Sequence, residues 1–141
     1  VVIKFYLCNN NSAEFKVLKE IKGIDIMYSN EHYTLYENLN ESSTPALSKA
    51  YKKLLFEDVK SKADHYQMII LDEILDAVQY GYINEDELLE FILKLKEKCE
   101  IILTGHKITE KISNESDYLS EIRGISHPYT KGVLPRKGIE F

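Results

Sequence analysis

Met68-Ile69-Ile70-Leu71-Asp72-Glu73 decides the fold. Four apolar residues in a row lack the alternation of a half-exposed strand. They read as a strand buried on both faces, and such strands belong to parallel sheets covered by helices. Two adjacent carboxylates close the run, at a place where charge is costly unless something uses it. In open parallel sheets ligands bind outside the carboxyl ends of the strands. A second run of the same kind, Glu100-Ile101-Ile102-Leu103, exits into Thr104-Gly105-His106. A glycine there permits close approach of the backbone to a ligand.

Outward from this centre, Val1 to Leu7 is short, apolar and β-branched and reads as a buried strand. Asn11 and Glu14 have capping-box spacing, Phe15, Leu18 and Ile21 form an apolar stripe, and Gly23 ends that helix before a strand at Ile24 to Tyr28. Residues 29–43 are a polar loop holding Tyr33-Thr34-Leu35-Tyr36. Thr44-Pro45 opens a helix that runs to about Lys62 with Leu47, Tyr51, Leu54 and Asp58/Val59 along its stripe. After the central strand, a short helix from Ile74 to Tyr80 stops at Gly81, and Asn84 with Glu87 starts another with Leu88, Ile92 and Leu95 inward. Tyr118 to Arg123 reads as a last strand, and a glycine- and proline-punctuated strap follows over residues 124–141. Alternating strands and helices predict one α/β domain over residues 1–141, a doubly wound, mostly parallel sheet with helices on both faces.

The 141 residues are 44% hydrophobic and 29% charged, an ordinary globular balance, with a net charge of −5. No Lys/Arg block stands out, which disfavours nucleic acid as a partner. No apolar stretch approaches the length of a membrane span, and no signal peptide is visible. Cys8 and Cys99 are isolated and read as reduced thiols of a cytoplasmic protein, and the four histidines His32, His65, His106 and His127 are scattered. Val1 is an unusual native start, so further sequence is expected upstream.

The acids Asp72 and Glu73 have the Walker B form, a hydrophobic strand that delivers carboxylates to a phosphate-bound magnesium. The structural alternative is that Asp72 caps the next helix and Glu73 sits in its first turn. Tyr33 to Tyr36 is either an aromatic wall over a flat ligand or packing for its own loop. In the strap, His127 and Arg136 are candidates to reach phosphates, against the alternative that the strap covers a sheet edge.

Six segments in order carry a family resemblance: Met68 to Glu73, Tyr80-Gly81-Tyr82, Ile102 to Gly105, Ser116 to Ile122, Ser126-His127-Pro128-Tyr129, and Lys137-Gly138-Ile139-Glu140-Phe141. The pattern resembles the P-loop-type ATP:corrinoid adenosyltransferases, strongly over residues 66–141 and more weakly over 1–60. The resemblance implies a P-loop NTPase-like fold and a transferase. The 5′-deoxyadenosyl group of ATP passes to the Co(I) centre of a reduced corrinoid, and triphosphate leaves with Mg2+. It implies catalytic and metal-holding roles for Glu73 and Asp72. It also implies nucleotide contacts from Thr104, Gly105, His106, His127 and Arg136, and corrinoid contacts from Tyr33, Thr34 and Leu35. A homodimer fed by an electron-donating flavoprotein is implied as well.

Three departures stand out. No phosphate-cradling glycine loop, the Walker A element, occurs within these residues. His106 stands where the family usually has arginine, which loses a fixed charge and a two-pronged donor. Leu35 stands at a tryptophan position, replacing a flat stacking surface by a small aliphatic one. These departures motivate an alternative, a corrinoid- or nucleotide-binding protein of the same fold with impaired catalysis. An unrelated P-loop ATPase is a third reading.

Overall fold

A computed structural model describes residues 2–4, 13–29, 44–136 and 138. Within the first of two compact units, Val1–Ile108, the fold is built around β3 (Met68–Asp72). Ile69 and Leu71 of this strand are fully buried. With β1 (Val2–Lys4), β2 (Ile26–Tyr28) and β4 (Glu100–Leu103) it forms a four-stranded sheet, order β2-β1-β3-β4, with every pairing parallel. The continuous apolar run is thus an interior strand, but it is not buried on both faces as expected: Ile69 and Leu71 are covered, whereas Met68 is 44% exposed and Ile70 half-buried, because packing closes one face more fully than the other. From β1 the chain passes to β2 on one side and β3 on the other, so the order reverses between β1 and β3. At that reversal Lys4 pairs with Asp72, and Leu71 pairs with Leu103 across the other ladder. The carboxyl end of β3 therefore lies at the point where the strand order reverses, the place where open parallel sheets bind ligands.

Parallel neighbours require crossovers. α1 (Ala13–Leu18) lies between β1 and β2, with Phe15 buried and stacked on Tyr28 at 5.7 Å. The β2–β3 crossover holds α2 (Thr44–Lys53), a six-residue π-helical stretch (Leu54–Val59), α3 (Lys60–Lys62) and a 3-10 turn (Ala63–His65). The single helix expected to about Lys62 is therefore a helical path with a widened middle. Leu54, Leu55 and Val59 are all buried there, and the five-residue step from Leu54 to Val59 suits the i→i+5 turn of a π-helix.

Two helices return the chain from β3 to β4. α4 (Ile74–Gln79) ends where Gly81 takes a left-handed φ of 75° that other residues adopt at a cost. α5 (Glu85–Leu95) begins at Asn84, whose side chain accepts from the N–H groups of Asp86 at 2.9 Å and Glu87 at 3.1 Å. Glu85, Asp86 and Glu87 complement the positive end of this helix. Leu88, Phe91, Ile92 and Leu95 give it one buried stripe. Edge-to-face pairs join the crossovers, Phe56 to Phe91 at 5.3 Å and Tyr51 to Tyr82 at 5.6 Å.

The second unit, Thr109–Phe141, corrects one expectation. Residues 118–123 form no strand, and Tyr118 and Ile122 are almost wholly exposed. Tyr118-Leu119-Ser120-Glu121-Ile122-Arg123 is half polar, and a segment becomes a strand only where a neighbour takes its backbone hydrogen bonds; no described strand pairs with this one. This unit instead holds α6 (Glu110–Asn114), capped by Thr109, and a 3-10 turn (Pro128–Lys131).

Leu71→Ala is expected to cost about 2–5 kcal/mol as a cavity in the sheet, and Asn84→Ala about 1 kcal/mol as a lost cap. Urea unfolding read as a shift of midpoint at constant slope checks both.

Candidate functional site at the exits of β3 and β4

The β3 run ends in Asp72, and the chain must then turn sharply into α4. Glu73 makes that turn with φ 58° and ψ 22°. Among the described residues it alone, apart from glycines, has a positive φ. Such a conformation costs a non-glycine side chain on the order of 1 kcal/mol and clusters at functional sites. Its N–H donates to Thr104 Oγ1 at 2.8 Å, and the same hydroxyl donates to Asp72 Oδ1 at 2.9 Å. One threonine at the exit of β4 thus holds both members of the acid pair.

Asp72 does not cap α4: the cap position is Glu73, and it makes no side-chain cap bond. The helix start is satisfied across the sheet instead. Leu75 N–H donates to the Thr104 carbonyl at 3.2 Å, and Thr104 N–H donates to the Leu71 carbonyl at 3.2 Å. Both Asp72 and Glu73 remain partly accessible. The purely structural account of the acid pair loses its helix-capping half.

Gly105 explains how close α4 comes to β4. A Cβ on residue 105 would lie 2.6 Å from Leu75 Cβ and 3.0 Å from Asp76 Oδ2, so only glycine fits. Beyond it, His106 N–H donates to Asp76 Oδ2 at 3.2 Å, and its ring Nδ1 lies 3.0 Å from Asp76 Oδ1. Asp76 is 2% exposed. The sequence reading passed over it, although a single charge inside Ile74-Leu75-Asp76-Ala77-Val78 is the signal that could have found it. A buried carboxylate must have partners, and the His106 backbone and ring are two of them.

The structure brings Asp72, Glu73, Thr104, Gly105 and His106 together at one end of the sheet. His127 and Arg136 belong to the second unit and are exposed. His127 Nδ1 accepts from the Tyr129 N–H at 3.1 Å and caps the 3-10 turn, so contact with a ligand falls to its other nitrogen. Tyr33, Thr34 and Leu35 lie outside the described residues. No group of three or more His, Cys, Asp or Glu side chains suited to a metal occurs among the described residues, where no helix is long and apolar enough to cross a membrane either. Two carboxylates suit a magnesium that arrives with phosphate oxygens and water as its other ligands. Cys99 is buried, and burial raises its thiol above the ordinary value, which disfavours the reactive thiolate.

Residues 1–141 match the family described as ATP:corrinoid adenosyltransferase BtuR/CobO/CobP. A corrinoid adenosyltransferase of a Sinorhizobium species is 30% identical over 115 residues, 79% of this chain and 54% of the relative. One from Escherichia coli strain K12 is 25% identical over 124 residues, 88% of this chain and 62% of the relative. Corrinoid adenosyltransferase CobA of Salmonella typhimurium is 28% identical over 74 residues, 52% of this chain and 38% of the relative. The chain spans 54% to 62% of the length of the first two.

Thr104→Val keeps the shape of the side chain and removes both hydroxyl bonds. It is expected to cost about 1–3 kcal/mol, because the Glu73 N–H loses its acceptor, whereas Thr104→Ser keeps most of the stability. Thermal melts of the two variants side by side check this.

Proposed function

The chain belongs to the ATP:corrinoid adenosyltransferase family, and from that premise we propose that it transfers the 5′-deoxyadenosyl group of ATP to the Co(I) centre of a reduced corrinoid. The family match across residues 1–141 carries this reading. In the reaction, cobalt supplies the electron pair of the new cobalt–carbon bond. The bond from C5′ to oxygen breaks, and its electron pair leaves with triphosphate. No side-chain nucleophile is required. The work of the residues is to position C5′ and to stabilise the leaving group.

The strand-tip acids take the magnesium part of that work. Asp72, Glu73 and Asp76 place three carboxylates within five residues. Triphosphate is repelled there unless a divalent cation stands between, so MgATP is the form this site accepts. Glu73 and Asp72 would hold the magnesium, and Thr104, Gly105 and His106 would meet the phosphates; the family resemblance assigns phosphate contacts to His127 and Arg136 as well. Tyr33, Thr34 and Leu35 meet the corrinoid. The fold that goes with this reading is the doubly wound P-loop type, which the parallel order β2-β1-β3-β4 supports. A cytoplasmic homodimer fed by a flavoprotein belongs to the same proposal.

His106, where arginine is usual, favours a second reading: a carrier that binds nucleotide or corrinoid without turnover. One assay separates the two. The full-length gene product receives MgATP and a chemically reduced corrinoid under anaerobic conditions, and the spectrum is followed. Light-sensitive alkyl-cobalt establishes the transferase. Bound corrinoid without that product establishes the carrier.

Glu73→Ala is expected to raise the KM for MgATP by about 10- to 100-fold, the worth of one charged contact, with little change in melting temperature. A large loss of Tm would instead return Glu73 to a structural role. Leu35→Trp is expected to speed adenosylation by restoring a flat surface against the corrinoid, and steady-state rates at saturating ATP check it.

A further inference from the structure

Asp76 is a charged group in a place that asks for an apolar one. It stands in the first turn of α4, flanked by the buried Leu75 and Ala77, and is itself 2% exposed. Burying a carboxylate costs several kcal/mol of lost hydration, roughly, unless it is well paired. Both of its oxygens are turned to one residue: Oδ2 accepts the His106 N–H at 3.2 Å, and Oδ1 lies 3.0 Å from His106 Nδ1. An ionised carboxylate only accepts hydrogen bonds, so against that form the second contact is a hydrogen bond when the proton is on Nδ1.

The His106 side chain is nevertheless 77% exposed. Backbone N–H and ring Nδ1 are both engaged by Asp76 while most of the side chain stays in solvent. A histidine with only solvent to meet needs no such clamp. The approach is also built into the chain on both sides. Gly105 leaves the room that a Cβ would fill at 3.0 Å from Asp76 Oδ2, and the Thr104 carbonyl draws in the Leu75 N–H at 3.2 Å.

We infer that Asp76 is a positioning residue, whose buried carboxylate holds the His106 imidazole by Nδ1 and so presents Nε2 to the phosphates of a nucleotide at the exits of β3 and β4. The inference rests on the nucleotide-binding reading of this site. When the ring carries both protons, Nε2–H donates a charge-assisted bond to a phosphate oxygen. An arginine brings several donors on a long arm. An imidazole has one outward nitrogen and a short reach, so its direction must be set by something else, and Asp76 sets it.

Two readouts test this on the full-length protein. The first is the nitrogen spectrum of 15N-labelled histidine rings at alkaline pH, with His106 assigned from the signal lost in His106→Gln. The unaltered protein is expected to hold His106 as the Nδ1–H tautomer, and an Nε2–H tautomer there overturns the inference. This needs no Asp76 variant to fold. The second is MgATP kinetics with reduced corrinoid, together with calorimetric titration of MgATP. Asp76→Asn and His106→Gln are each expected to raise KM and Kd roughly tenfold, the worth of one charge-assisted bond, with kcat little changed. The double variant should be no worse than either single one. Penalties that multiply in the double variant overturn the inference. An Nδ1–H ring in an unaltered protein that fails to bind MgATP overturns the nucleotide reading beneath it, a result distinct from failure of the clamp.

Discussion

The hydroxyl of Thr104 is the joint on which this end of the molecule depends. It accepts the Glu73 N–H and donates to Asp72, while the same residue's backbone bonds to Leu71 on one side and Leu75 on the other. A parallel sheet normally ends in loops that diverge. Here the last residue of one strand, the turn after it and the first turn of α4 are bonded to the exit of the neighbouring strand. The acid pair is consequently borne on rigid elements, and precision at such a site comes from the elements that carry it. Gly105 and the Asp76–His106 clamp extend the same joint by one further turn of helix.

The stability of the first unit comes from burial more than from charge. Ile69, Leu71, Ile74, Leu88 and the two tyrosines Tyr51 and Tyr82 are essentially inaccessible. Ion pairs such as Lys98 with Asp64 and Lys94 with Glu90 stand in solvent. Their carboxylates are held below the ordinary value by the lysine hydrogen bond. Exposed pairs of this kind contribute little to folding.

Much of this was legible in the residues, and what was not has a physical reason. The interior strand, the strand beside it, the Asn84 cap and the Gly81 stop are local signals, each contained in a few consecutive residues. That Asp72, Glu73, Thr104, Gly105 and His106 stand at neighbouring strand exits was legible, because each follows directly on an apolar run. What holds them was not. Thr104 acts on residues thirty-one and thirty-two positions away, and Asp76 meets a histidine thirty positions away. Periodicity carries no information about such pairs. The π-helical stretch was missed because apolar spacing alone does not separate a widened helix from a regular one. Residues 118–123 misled because strand composition is necessary for a strand and a partner is what completes it.

The left-handed backbone at Glu73 has a consequence for anyone who improves this protein in the laboratory. The turn after β3 suits glycine or asparagine better than glutamate. A screen for heat resistance, or a sequence redesigned only to fit the backbone, would drift toward those residues at this position. The molecule would gain hardiness and lose the carboxylate to which the proposed function assigns magnesium. On the proposed function, robustness and chemistry compete here for a single residue, so selection for the first is best run under demand for the second.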